Sequence, residues 1–152
     1  MDKPLLEVED LSVTFKGAHR DVQAVRGISF SVGREKVGIV GESGSGKSLT
    51  GRTILKLTPK AATIAARKLS FDGIDLLAAS ERQMRTIRGN RISMILQDPK
   101  FSLNPLMRVG EQITEAYRLH HKVGGKEAEA RALAMLEAVK IRDPARVFRL
   151  FP

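Results

Sequence analysis

The residues with the clearest chemical potential form one segment that is rich in glycine. Residues 41–48 match the pattern G-x-x-x-x-G-K-[ST], which is typical of loops that cradle phosphate groups. Glycine lets the backbone wrap closely around an anion, so that successive N–H groups point into the loop. The segment therefore predicts a binding site for the phosphates of a nucleotide, formed by Gly41, Glu42, Ser43, Gly44, Ser45, Gly46, Lys47 and Ser48.

Lys47 and Ser48 have separate predicted tasks in this loop. The Lys47 ammonium would reach the β- and γ-phosphates, and the Ser48 hydroxyl would ligate Mg²⁺. A helix that begins at Lys47 would aim the positive end of its dipole at the same phosphates. A random chain of this length matches the pattern about 1% of the time, so chance is a poor explanation.

Such a loop needs a strand before it and a helix after it, and the hydrophobic pattern predicts both. Residues 36–40 form a short apolar run without polar alternation, which is typical of a strand covered on both faces. After the loop, Leu49, Ile54 and Leu57 fall roughly on one side of a helix, which Pro59 should end near Leu57. We therefore expect the loop to join a buried strand to a helix.

Alternation of apolar and polar residues predicts further strands. Residues 6–9, 11–15 and 28–32 alternate in this way, which favours half-buried antiparallel strands. Residues 69–71 indicate another strand. Residues 92–96, which are apolar apart from one serine, indicate a further buried strand.

Helical signals follow in the second half of the chain. Residues 80–83 begin with serine and end with glutamine, which predicts the capping box of a short helix that ends at Gly89. Apolar residues at helical spacing predict two amphipathic helices in segments 109–120 and 128–139. The Asp-Pro pair at 143–144 predicts the start of a third short helix, with the aspartate as its N-cap.

The composition excludes several kinds of site and of protein. The 152 residues contain no cysteine, which excludes disulfides, thiolate catalysis and cysteine-ligated zinc. No stretch approaches the roughly 18 apolar residues of a membrane-spanning helix, and the first residues lack the apolar core of a signal peptide. We therefore expect a soluble, cytoplasmic protein.

The formal charge of +9 raises the question of a nucleic-acid partner. The chain has one tyrosine and no tryptophan, so aromatic platforms for stacking on bases are sparse. None of the common nucleic-acid-binding motifs is present. We expect no nucleic-acid partner; a steep salt dependence of DNA or RNA binding would favour the alternative, a nucleic-acid-associated protein with a phosphate loop.

Four stretches of the sequence together resemble a known family. They are LLEVEDLSVTF, GIVGESGSGKS, IRGNRISMILQDPKFSLNP and VGEQITEA. On these stretches the chain resembles the ATP-binding subunit of an ABC transporter, most closely in the dipeptide/oligopeptide importer group. Residues 97–105, with Gln-Asp-Pro before Ser-Leu-Asn-Pro, are the part most specific to that group.

The resemblance implies an α/β fold, which is an incomplete ABC ATPase core of the P-loop NTPase type with an antiparallel β subdomain and a helical subdomain. It implies that residues 1–152 are the N-terminal part of an ABC nucleotide-binding domain. Residues 1 to about 100 would form the β subdomain and the core through the Q-loop. Residues from about 101 to 152 would form the helical subdomain.

The resemblance also implies roles for single residues. Phe15 matches the aromatic position that stacks on the adenine ring, and residues 41–48 match the Walker A loop. Gln97 matches the Q-loop glutamine, which in the family contacts Mg²⁺ or the attacking water and reports the nucleotide state to the membrane subunits. The implied cofactors are ATP and Mg²⁺, and Ser48 and Gln97 are the residues implied to contact the metal ion.

The family pattern continues with motifs that this sequence does not contain: the LSGGQ-type signature, a Walker B strand ending in Asp-Glu, the D-loop and the switch histidine. We therefore expect a chain that stops before the signature, supplies no complete catalytic set and leaves the apolar run 36–40 under-covered. Two functions stay open. The chain is either the ATP-binding component of an importer, energising uptake of di- or oligopeptides, or a truncated module that binds ATP without turnover.

The resemblance implies partners as well. ABC permease subunits would dock on the helical subdomain and the Q-loop, and a second ATP-binding subunit would form a head-to-tail dimer with the first. The chain would then lie at the cytoplasmic face of the inner membrane as a peripheral protein.

Overall fold

The chain divides into two units, Met1–Arg88 and Gly89–Pro152, in a computed structural model that describes residues 3–97 and 102–152. Among those residues, the first unit contains one sheet and two helices, and the second contains three helices. The predicted subdomain division near residue 100 lies outside the described residues, so it stays a prediction.

Five antiparallel strands form the sheet of the first unit, as far as its residues are described. They are β1 (Leu6–Phe15), β2 (Val22–Val32), β3 (Ala62–Ala65), β4 (Lys68–Phe71) and β5 (Ile74–Asp75). β1 is central, because β2 pairs along one edge while β4 and β3 pair with successive halves of the other. β5 pairs with β4. The antiparallel strands predicted from alternation are confirmed, whereas β3 and β5 carried no clear signal in the sequence.

A bulge lets both halves of β1 bury their apolar residues. Val8 and Leu11 are both buried although they are three residues apart, a spacing that strict alternation places on opposite faces. The pairing with β2 shifts register between these two residues, where Asp10 has φ 54°. It shifts again just after Leu11, beside Gly27 of β2, which has φ 62°. The Gly27 N–H donates to Ser12 Oγ at 2.9 Å. This bond satisfies a backbone N–H group at a point where the regular pairing of β1 and β2 is interrupted.

α2 (Glu81–Ile87) begins with the predicted capping box. The Ser80 hydroxyl accepts from the Gln83 N–H at 3.3 Å, and the Gln83 side-chain oxygen accepts from the Ser80 N–H at 2.9 Å. The helix ends at Ile87, two residues before the predicted Gly89. Met84 and Ile87 are buried, which joins the helix to the core of this unit.

α1 (Lys47–Ile54) begins where the sequence predicted and ends earlier. The predicted end near Leu57 is wrong, because Lys56 adopts a left-handed conformation with φ 51° that stops the helix before the proline. Leu57 therefore leaves the predicted apolar side and is 49% exposed.

Two predicted buried strands are absent from the described structure. Residues 36–40 have no regular secondary structure, and Val37, Ile39 and Val40 are 46%, 52% and 96% exposed. Residues 93–96 are likewise irregular, with Ile95 94% exposed. A strand buried on both faces needs paired neighbours and cover from other elements, and an apolar run supplies neither by itself. The expectation that residues 36–40 are under-covered is confirmed.

Three helices form the second unit among its described residues: α3 (Val109–His120), α4 (Gly125–Ala138) and α5 (Pro144–Arg149). All three contact one another. The Asp143 carboxylate accepts from the Arg146 N–H at 3.2 Å, which confirms the predicted cap of α5. The buried stripe of α4 consists of Ala128, Ala132 and Leu136. Within the described ranges, no helix has the length and apolar character needed to cross a membrane.

Replacing Gly27 by alanine should destabilise the first unit by about 1–2 kcal/mol. The added Cβ would be held at φ +62° and would lie 2.9 Å from Asp10 Oδ1. Urea unfolding followed by circular dichroism measures the change. Gly38→Ala is the matched control, since a Cβ there meets nothing within 4 Å. Equal stability of the two variants would show that the bulge is not a constrained feature.

Glu7 gives the sheet a predicted dependence on pH. Lys68 Nζ donates to its carboxylate at 2.8 Å and Ser70 Oγ donates at 3.0 Å, and these bonds hold the pKa of Glu7 below its ordinary value of 4.5. The carboxylate therefore stabilises the folded chain above that value and loses this effect as the pH falls below it. Between about pH 6 and about pH 3, the unfolding free energy of Glu7→Gln should fall less steeply than that of the unmodified chain. Parallel pH profiles would contradict this.

Candidate functional site

The glycine-rich segment 41–48 lies in the first unit and leads into the amino end of α1. Gly46 is the N-cap residue, with φ 93° and ψ 2°, and no side chain caps the helix. The first turn contains no acidic residue. The first N–H groups of α1 therefore lack a side-chain acceptor and favour an external anion at this end of the helix.

The side chain of Lys47 forms hydrogen bonds within the loop. Its ammonium donates to the carbonyl oxygens of Gly41 and Glu42, both at 2.7 Å, and to Ser45 Oγ at 3.3 Å. The loop backbone also closes through the Ser45 N–H, which donates to the Glu42 carbonyl at 3.2 Å. The positive charge is thus held inside the segment that the sequence predicted to surround phosphates.

Two glycines of the loop are conformationally required. Gly44 and Gly46 have φ angles of 81° and 93°, which residues with a Cβ rarely adopt. A Cβ on Gly46 would also lie 2.7 Å from the Ala24 carbonyl oxygen and 3.0 Å from Val25 Cγ2. The end of the loop therefore lies directly against β2, which fixes where α1 begins.

Buried threonines hold α1, and sequence reasoning missed them. Thr50 and Thr53 are 2% and 0% exposed, and their hydroxyls donate to the carbonyls of Gly46 and Leu49 at 3.0 and 2.8 Å. These bonds allow the threonine methyl groups to face the core without leaving a polar atom unpaired. The signal was present as two threonines at i and i+3 in a helix with only two large apolar residues.

Phe15 lies on β1, the strand that pairs with β2, and β2 contacts the end of the loop. It ends β1, is half-buried, and pairs with Val22 and Ala62. Val13, two residues earlier on the same face of β1, pairs with Val25, the residue that lies against Gly46. Two residues of strand span about 7 Å, so the backbone of Phe15 lies about that far along β1 from the residue that pairs with Val25.

The two residues that were predicted to contact Mg²⁺, Ser48 and Gln97, belong to different units. Ser48 is exposed in the first turn of α1, next to the loop. Gln97 is exposed and belongs to the second unit. Residues 98–101, which complete the Gln-Asp-Pro segment, lie outside the described residues. The role of Gln97 therefore stays a prediction.

The donors fit a nucleotide with Mg²⁺ better than a free metal ion. In the described part of the chain, no three histidine, cysteine or acidic side chains form a group that could hold a metal. Mg²⁺ in nucleotide sites is bound mainly through substrate phosphates and water, with one or two protein oxygens. The exposed Ser48 hydroxyl beside the uncapped helix end meets that requirement, and the glycine cradle suits the phosphates.

A protein-family model described as ABC transporter matches residues 25–150 of the chain. That match includes the phosphate loop, all of the second unit except its last two residues, and most of the sheet.

Curated relatives match nearly all of the chain. The oligopeptide transport ATP-binding protein OppD of Bacillus subtilis (strain 168) is 46% identical over 97% of this chain and 42% of its own length. The probable peptide ABC transporter ATP-binding protein y4tR of Sinorhizobium fredii is 48% identical over 97% and 45%. The probable D,D-dipeptide transport ATP-binding protein DdpD of Escherichia coli is 40% identical over 100% and 47%. The chain thus spans less than half the length of these relatives.

Two solved structures of MJ0796 share the fold. One is the dimeric structure of this bacterial ABC transporter cassette, with a TM-score of 0.76 and 21% identity. The other is its post-hydrolysis state bound to ADP and Pi, with a TM-score of 0.79 and 22% identity. Each alignment covers 97% of this chain and 61% of that chain. The α/β fold class predicted from the sequence is confirmed.

The two loop glycines should respond differently to substitution. Gly46→Ala adds a left-handed alanine and a conflict with the backbone of β2, so we expect a loss of about 2–4 kcal/mol in unfolding free energy. Gly44→Ala adds a Cβ with nothing within 4 Å, so only the left-handed strain of about 1–2 kcal/mol remains. Urea unfolding of both variants measures the difference. A Gly44 variant that is as unstable as the Gly46 variant would contradict the contact with β2.

Proposed function

This chain belongs to the ABC transporter family, and we propose on that basis that it is an ATP-binding component of an ABC importer that energises the uptake of di- or oligopeptides. The family model supports the transporter assignment. The names of the relatives, which refer to oligopeptide, peptide and D,D-dipeptide transport, support peptide as the cargo. Cargo choice itself would belong to other subunits.

The observation that carries this proposal is the uncapped amino end of α1 behind a loop that encloses the Lys47 ammonium. Both features favour an anion with several oxygens at one point of the chain. A structural helix is usually given a side-chain cap, as α2 is by Ser80. α4 also lacks a side-chain cap but has Glu127 in its first turn, whereas the first turn of α1 has neither a cap nor an acidic residue, which favours a phosphate at its amino end.

The residues of the loop would divide the work of binding ATP. Lys47 would exchange its neutral carbonyl acceptors for phosphate oxygens, because hydrogen bonds between charged partners are stronger. Ser48 would direct its hydroxyl toward Mg²⁺, which when bound neutralises charge on the β- and γ-phosphates. Phe15 would stack on the adenine ring, giving affinity with little hydrogen-bond recognition of the base. Gln97 would contact the metal or the attacking water.

The proposed setting of the chain follows the family resemblance. Residues up to about 100 would serve as the β subdomain and nucleotide core, and residues from about 101 as the helical subdomain that meets the permease. A second ATP-binding subunit would face the loop in a head-to-tail dimer. The assembly would place this chain at the cytoplasmic side of the inner membrane, bound peripherally.

Replacing Lys47 by alanine should weaken ATP binding by at least about 100-fold, because the enclosed charge disappears from the loop. Isothermal titration with ATP and Mg²⁺ measures the affinity. Lys60→Ala is the matched control, since Lys60 is an exposed lysine of the same unit and should leave binding unchanged. Equal affinity of the Lys47 variant and the unmodified chain would overturn the phosphate-loop assignment.

Phosphate release during the same incubation separates the two functions that the sequence left open. Release that depends on Lys47 favours a component that hydrolyses ATP. Binding without release favours a module that binds ATP without turnover.

A further inference from the structure

The carboxyl end of α1 is closed by a defined cap, at the opposite end of the helix from the phosphate loop. The Leu57 N–H donates to the Arg52 carbonyl at 2.8 Å, and the Lys56 N–H donates to the Thr53 carbonyl at 2.9 Å. This pair of bonds is the Schellman motif, in which the residue after the C-cap is left-handed. Glycine usually occupies that position, but here it is Lys56, with φ 51°.

The side chain of Lys56 explains why a strained residue is suited to this position. Its ammonium donates to the carbonyl oxygens of Leu77 and Ala79 at 2.9 and 2.7 Å. Those carbonyls lie in the segment that leads into α2. Lys56 therefore ties the end of α1 to the beginning of α2, which glycine could not do.

Arg88 makes the reciprocal connection from the end of α2. Its Nε donates to the Leu55 carbonyl at 2.7 Å, and its Nη2 donates to the Lys56 carbonyl at 3.3 Å. The Leu55 carbonyl belongs to the C-cap residue of α1, where a cation also meets the negative end of the helix dipole. The guanidinium is only 21% exposed, so water screens these bonds weakly.

Glu81 fixes the orientation of the guanidinium. Its carboxylate accepts from Arg88 Nη1 at 2.6 Å, across the full length of α2. The bond to Arg88 holds the pKa of Glu81 below its ordinary value, so the carboxylate stays charged to a lower pH than an isolated glutamate would. Arg85 Nε lies 3.9 Å from the same carboxylate, but its side chain is 79% exposed.

We propose that Lys56 and Arg88 are positioning residues for nucleotide binding, which act together as a clasp between α1 and α2. The clasp holds the end of α1 that lies far from the loop, so that the uncapped end stays directed at the phosphates. A helix of eight residues transmits such an anchor along its axis as a short rigid rod. This inference rests on the proposed function, because it assigns a role in binding ATP at the loop.

Two variants of the 152-residue chain test the clasp. Lys56→Gly removes the ammonium while placing the preferred residue at the left-handed position, so the unfolding free energy should not fall. Arg88→Gln removes the charge and the contacts with the Leu55 and Lys56 carbonyls. Each variant should weaken ATP affinity about tenfold and speed hydrogen exchange of the α1 amides about tenfold in the absence of nucleotide. The ATP affinity and the α1 exchange rates of the double variant should differ little from those of either single variant.

Arg85→Gln is the matched control, because it removes an arginine of the same helix that also contacts Glu81 but not α1. It should change neither affinity nor exchange. Unchanged exchange of the α1 amides in both test variants would overturn the clasp. Faster exchange with unchanged ATP affinity would overturn its role in binding. If the unmodified chain binds no ATP, the proposed function fails, and hydrogen exchange alone decides whether the clasp holds α1.

Discussion

The uncapped amino end of α1 is the constraint on which the rest of the first unit depends. Among the described helices, α2 and α5 are capped by the side chains of Ser80 and Asp143. α4 lacks a side-chain cap but has an acidic residue in its first turn, whereas α1 has neither. With glycine at the N-cap, the missing side-chain cap costs roughly a few tenths of a kcal/mol, and left-handed Gly46 adds conformational restriction. A helix of eight residues is also too short to be stable alone. The surrounding structure must therefore hold α1 by contacts that leave its amino end open, and the buried Thr50 and Thr53 do so from one side.

The enclosed ammonium of Lys47 adapts the loop to the same constraint. An ammonium that is held within the loop needs acceptors for its N–H groups. The carbonyls of Gly41 and Glu42 supply them, each at 2.7 Å from the ammonium. In the proposed ATP site, an incoming phosphate would offer a charged acceptor in place of neutral ones, and the backbone would already be curved. Preformed curvature reduces the ordering entropy that binding must offset.

Local chemistry made parts of this structure predictable from the sequence. The capping box at Ser80, the cap at Asp143 and the start of α1 at Lys47 are each encoded within a few residues, and all three predictions are confirmed. The failures concern features that distant residues decide. The apolar run 36–40 predicted a buried strand, but the structure has no strand there. Strand pairing depends on neighbouring strands, which an apolar run cannot specify. The early end of α1 depends on Lys56, whose left-handed backbone is compensated by carbonyls more than 20 residues away.

The exposed run before the loop shows which contacts determine the shape of the site. If the strand predicted at 36–40 were what curved the loop, its absence would leave the glycines without their left-handed angles. They keep those angles, because Gly46 lies against Ala24 and Val25 of β2 and Lys47 bonds to carbonyls of the loop itself. The conformation of the loop is thus specified by β2 and α1, and not by the run that immediately precedes it. The upstream run can lack strand structure without altering the geometry that is proposed to bind ATP.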